Sequence, residues 1–107
     1  VYIVAGKFSS AIRPQEVNDR LSKGEVLEIV DVREADEWAS GHISGARHIP
    51  LGSLMQRHNE LNKQQETIMV CRSGNRSGIA CEYLESLGYK VINMTGGMLE
   101  WPGDIDY

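Results

Sequence analysis

The chain has 107 residues, 41% apolar and 24% charged, which suits one globular domain, spanning 1–107, around a single core. A formal charge of −4 with no basic stripe argues against nucleic acid and against an anionic membrane as partners. Two cysteines do not make a disulfide framework, so the expected setting is a reducing compartment, the cytoplasm, with both thiols free.

Taken in chain order, Val1–Ala5 is an apolar run, read as a short strand or the end of a longer upstream segment. It is too short to span a bilayer and lacks the pattern of a signal peptide. A chain that starts at Val1 and not at Met leaves room for residues before it. Pro14 stands where a first helical residue should be, and Val17, Leu21 and Lys23-Gly24 complete a short amphipathic helix with a glycine stop. Residues 26–32 are too apolar for a half-exposed edge and predict a buried parallel strand. One or two helical turns follow over 34–39. A loop with a short apolar piece at His48-Ile49 fills 41–50. Leu51, Leu54, Met55 and Leu61 predict a helix broken near Asn59. Thr67–Val70 is the next strand. After a small-residue loop, Ile79, Ala80, Tyr83, Leu84 and Leu87 cover one face of a helix that Gly88 ends. Residues 91–94 form another strand, Thr95-Gly96-Gly97 a turn, and 98–101 a short helix stopped by Pro102. Alternating strands and helices predict an α/β domain with a mainly parallel sheet and helices on both faces. No repeat, low-complexity segment or linker interrupts the pattern.

The most informative stretch is Ile68-Met69-Val70-Cys71-Arg72-Ser73-Gly74-Asn75-Arg76-Ser77. A buried strand ends at a cysteine, and a helix starts a few residues later. That order gathers backbone N–H groups and the positive end of a helix dipole around the sulfur. Both favour the thiolate, which is the nucleophile. Two arginines flank the turn and can hold an anion. In open parallel sheets ligands bind beyond the carboxyl ends of the strands, where Cys71 falls.

Asp31-Val32-Arg33-Glu34, Gly41-His42-Ile43, Gly45-Ala46, His48-Ile49-Pro50, the Cys71–Ser77 loop, Gly88-Tyr89, and Gly96-Gly97 followed by Trp101 occur in the order of a known pattern. Together they resemble a single-domain rhodanese over roughly 7–101. The resemblance implies the three-layer rhodanese fold and a sulfurtransferase that carries sulfur as a persulfide on Cys71. It implies a small anionic donor, thiosulfate or a low-molecular-weight persulfide, bound by Arg72, Ser73, Gly74, Asn75 and Arg76. The acceptor would be a thiol, cyanide or a protein. No metal and no organic cofactor is implied. Arg72 is expected at the mouth as the anion binder, Arg76 folded back to fix the loop, and Gly74 to supply a backbone angle or a close approach that a Cβ would block.

Loop length separates this chemistry from a rival. Cys71 and Arg76 enclose four residues, whereas the similar cysteine phosphatases and arsenate reductases have five. A phosphoryl group needs a wide ring of N–H donors; one extra sulfur fits a tighter ring. A second rival is a relay or regulatory module that hands sulfur to one protein.

Other residues have plainer readings. On the wheel Cys81 lies about 130° from the centre of the apolar face. It is expected to be a packed small residue and not a resolving thiol. His42, His48 and His58 lack metal-ligand spacing, and His42 is expected to hydrogen-bond locally. Asp31 and Arg33 are expected to form a structural salt bridge. Trp38 and Trp101 read as core, and Asp36-Glu37 as a solvated helix face.

Overall fold

The computed structural model describes residues 10–107, so the expectation for Val1–Ala5 lies outside the described residues. The strands are β1 (Ser10–Ile12), β2 (Glu28–Asp31), β3 (His42–Ile43), β4 (Arg47–His48), β5 (Thr67–Val70), β6 (Val91–Met94) and β7 (Ile105–Asp106). The α-helices are α1 (Pro14–Ser22), α2 (Ala35–Ala39), α3 (Leu54–Arg57) and α4 (Asn75–Ser86). Turns of 3-10 helix cover Leu51–Ser53, His58–Glu60 and Gly97–Glu100. The break expected near Asn59 is the second of these.

Five strands form one parallel sheet in the order β1-β6-β5-β2-β4. All four residues of β5 are buried, which is why this central strand reads as a short apolar run, Ile68-Met69-Val70, after Thr67. From β2 the chain steps outward to β4, then crosses back to β5 on the other side. The crevice at the carboxyl ends of β2 and β5 is therefore the switch point of the sheet. Strands β3 and β7 pair antiparallel in a separate small ribbon that the sequence does not reveal.

Helices cover both faces of the sheet. On one face Val30, Val32, Met69 and Val91 pack against Leu54, Leu61, Ala80, Cys81 and Leu84. On the other, Ile29, Ile68, Val70 and Ile92 pack with Val17, and with the half-buried Leu21 and Trp101. The alternation of Ile29 with Val30 and of Ile68 with Met69 is the strand period of two.

Two expectations need correction. The second strand begins at Glu28, not Val26, because its ladder to β5 starts at Glu28–Thr67; Val26 is 91% exposed. The buried face of α4 is Ser77, Ala80, Cys81 and Leu84, at spacings of three and four. Ile79 stands out in solvent, and Cys81, which the wheel places off the apolar face, is fully buried. Three small side chains let the helix lie close on the sheet, so the contact follows residue size as well as hydrophobicity.

Candidate active site

Cys71 follows β5 directly, so the sheet itself delivers the sulfur to the switch-point crevice. The chain then turns through Arg72, Ser73 and Gly74 into α4. Gly74 is the N-cap of that helix at φ 107°, a conformation that favours glycine, and a Cβ there would lie 3.3 Å from the Gly96 nitrogen.

The loop is held from behind by the 3-10 turn after β6. Met98 N–H donates to the Cys71 carbonyl at 2.9 Å and Leu99 N–H to the Arg72 carbonyl at 3.0 Å. Gly97, at φ 60°, passes so close that a Cβ would collide with both carbonyls. The Gly96-Gly97 turn is thus a backbone-to-backbone seat for the cysteine loop.

The Gly74 N–H donates to Cys71 Sγ at 3.0 Å, and the Ser77 hydroxyl oxygen lies 3.3 Å from the sulfur. Burial pushes the Cys71 thiol up. Hydrogen bonds from the Ser77 hydroxyl and from the Ser77, Gly74 and Ser73 N–H groups outweigh it, and the net result lies below the ordinary thiol range. Ser77 itself is buried and donates to Asn93 Oδ1 on β6.

The flanking arginines differ. Arg72 is exposed and makes no ion pair among the described residues. Arg76 reaches across to α2, where its two terminal nitrogens grip Glu37 at 2.6 and 2.8 Å. The Arg76 side-chain bonds are the main reason the Glu37 carboxyl falls to about 2. Glu37 is therefore not a solvated face. It is tied to the cysteine loop, and its carboxylate also accepts the Glu34 N–H to close a capping box.

Around this centre, Asp31 and Arg33 form the expected salt bridge, buried at 2.8 Å, and Arg33 also donates to the Gly41 carbonyl. His42 donates to the Trp38 carbonyl and His48 to the Arg33 carbonyl. Both imidazoles stack with Trp38, at centroid distances of 3.5 and 4.8 Å, so Trp38 packs with histidines and not in the apolar core. His58 bonds the Tyr89 hydroxyl. Trp101 lines a cavity of about 300 Å³ with Asn18, Leu21, Ser22, Ile43, Ser44 and Asp104, none of them in the cysteine loop.

Ser73 and Asn75 are exposed at the loop surface beside Arg72. Ser77, Asn93 and Glu37 are the site residues that sequence reasoning missed. Ser77 had a visible signal, since it sits two residues into the helix whose N-terminus faces the thiol. Asn93, a polar residue inside a strand of Val, Ile and Met, had a weaker one. Glu37 had none.

A model of the rhodanese-like domain matches residues 13–104. Over 88 residues the chain is 39% identical to a putative sulfurtransferase, YtwF, of Bacillus subtilis (strain 168), covering 82% of this chain and 85% of that one. It is 37% identical over 89 residues to the thiosulfate sulfurtransferase GlpE of Pseudomonas putida (strain GB-1), covering 82% and 81%. The crystal structure of a rhodanese-like domain protein from Staphylococcus aureus superposes with a TM-score of 0.85 at 35% identity, over 91% of this chain and 96% of that one.

Proposed function

Because the chain belongs to the rhodanese-like family, we propose that it is a sulfurtransferase in which Cys71 carries sulfane sulfur as a persulfide. The observation that supports this most directly is the sulfur itself: a thiol held below its ordinary range by N–H and O–H donors at the crevice of a parallel sheet.

The reaction has two halves. Cys71 thiolate attacks the outer sulfur of thiosulfate, a new S–S bond forms, the old one breaks, and its electron pair leaves with sulfite. With a low-molecular-weight persulfide as donor, the leaving group is the thiolate. Cys71 then bears the added sulfur. The Ser73, Gly74 and Ser77 N–H groups stabilise negative charge within the loop. In the second half an acceptor thiol or cyanide attacks the outer sulfur and Cys71 thiolate departs. Arg72, exposed at the mouth and unpaired among the described residues, receives the donor anion, with Ser73 and Asn75 beside it. Arg76 anchors the loop through Glu37 and does not bind the donor.

A protein acceptor is a second reading, favoured by Leu99. Its N–H bonds the Arg72 carbonyl while the residue stays 62% exposed, an apolar contact point beside the cysteine loop.

The test is mass spectrometry of the protein before and after treatment with thiosulfate or a small persulfide, followed by peptide mapping. One added sulfur on Cys71, lost on addition of cyanide, is the expected result. Loading at Cys81, or none at all, overturns the assignment. Faster turnover of an aryl phosphate than of thiosulfate would promote the phosphatase rival, which the four-residue spacing opposes.

A further inference from the structure

Cys71, Gly74, Asn93 and Ser77 close a ring of hydrogen bonds. Gly74 N–H donates to Cys71 Sγ at 3.0 Å. Asn93 Nδ2 donates to the Gly74 carbonyl at 3.2 Å. The Ser77 hydroxyl donates to Asn93 Oδ1 at 2.5 Å, and its oxygen lies 3.3 Å from Cys71 Sγ. The ring has a fixed sense. A carbonyl only accepts, so the amide nitrogen of Asn93 must face Gly74, which turns its oxygen to Ser77 and makes the hydroxyl the donor there.

Ser77 has one hydroxyl proton and two candidate acceptors. While Cys71 is a thiol, its own S–H can point at the Ser77 oxygen, and Asn93 keeps the hydroxyl proton. Once Cys71 ionises, the sulfur has no proton to give and wants donors. Ser77 is fully buried, so water does not take its place. After sulfur loading, the charge resides on the outer sulfur and Sγ makes little demand.

We propose that the Ser77 hydroxyl is a two-position donor, turned toward Asn93 when Cys71 is protonated or loaded and toward Cys71 when it is a thiolate. Asn93 is the competing acceptor that limits how strongly the thiolate is held. The move is a rotation about the Cβ–Oγ bond, and no proton changes owner. Ser77 and Asn93 are thus positioning residues acting through Cys71. The loaded half of the switch rests on the persulfide reading above.

Arg72, next to Cys71, is exposed and has no ion-pair partner among the described residues to exchange; the other charged or titratable groups near the sulfur keep their partners through this rotation. Arg76 on α4 stays on Glu37 of α2. Asp31 and Arg33, at the end of the neighbouring strand, hold one another. The Cys81 thiol on α4 is buried and stays protonated. Glu100, in the 3-10 turn behind the loop, pairs with Arg13.

The test is the pH profile of Cys71 alkylation by iodoacetamide in the full chain, read by peptide mass. Ser77→Ala should move the midpoint up by about one pH unit, the loss of one charge-assisted donor. Ser77→Thr, which restores the hydroxyl, should bring it back. Asn93→Ala should move the midpoint the other way, because the hydroxyl then has only the sulfur to serve. Asn93→Leu fills the same space without an acceptor and repeats the measurement if the alanine variant fails to fold. In a Ser77→Ala background, Asn93→Leu should have no further effect. A merely structural role predicts that variants of both residues raise the midpoint together, and that outcome overturns the proposal. So does an unchanged midpoint in Ser77→Ala, or a downward shift by Asn93→Leu that persists without Ser77. Opposed shifts in a native protein that takes up no sulfur would refute the sulfurtransferase reading while supporting the thiol–thiolate half of the switch.

Discussion

One residue type does two jobs here, and the difference lies in the surroundings. Cys71 and Cys81 are both free and both buried. Cys81 has apolar neighbours, and burial pushes its thiol up to about 12, with the nearby Glu85 and Glu82 charges adding to it. Cys71 has four donors and goes down. Iodoacetamide at neutral pH should therefore label Cys71 and leave Cys81 untouched in the folded protein. Cys71→Ala should abolish sulfur loading with little change in melting temperature. Cys81→Ala should keep it and cost roughly 1 kcal/mol in urea unfolding, the loss of a small buried group. Glu37 makes the stability of the fold depend on pH. Its folded carboxyl lies near 2 against 4.5 when free, so the Arg76 pair stabilises the native state fully above about 4.5. That stabilisation fades as pH falls toward 2. With a quarter of the Glu37 side chain exposed, it should be about 1–2 kcal/mol. Acid titration of unfolding free energy in native and Glu37→Gln proteins should converge at the acid end and differ above pH 5. A constant gap across that range would show that the pair acts otherwise.

At the scale of elements, the cysteine loop depends on a turn that does no chemistry. Gly97→Ala would drive a Cβ into the Cys71 and Arg72 carbonyls at a φ few side chains adopt. We expect it to destabilise by about 2–4 kcal/mol and to slow Cys71 alkylation, since the N–H donors move with the loop. A normal melting curve together with native alkylation kinetics would show that the turn can step aside. These dependencies also mark the limit of what the sequence discloses. The strand before Cys71 was legible because all its residues are buried and Ile68, Met69 and Val70 are apolar, and the thiol was legible because strand, small-residue loop and helix occur in succession. Both are local signals. Glu37 lies 39 positions from Arg76, and Asn93 lies 16 from Ser77. No periodicity connects such pairs; only the sheet order does. The face of α4 was misjudged for a related reason. Burial there follows Ser77, which must reach the sulfur, and Ile79 is turned out as a result.

At the scale of the molecule, one sheet serves two cores. Leu84 belongs to the layer on one face and Val17 to the layer on the other, and both are fully buried. Because every central strand contributes side chains to both layers, neither layer can melt alone. Leu84→Ala, at about 3–5 kcal/mol, and Val17→Ala, at about 2–3 kcal/mol, should lower a single transition. Circular dichroism and tryptophan fluorescence should report the same midpoint in each variant. Separate midpoints would mean that the layers unfold independently. The seat beneath the cysteine loop also sets an order of events in time. Cys71 is synthesised 27 positions before Met98, whose N–H holds its carbonyl. On a ribosome adding roughly 5–20 residues per second, that is a delay of about one to five seconds. The donors that lower the thiol lie within six residues of it, but the turn that seats their loop comes later, so a chain interrupted before that turn carries the nucleophile and its donors on a loop without its anchor.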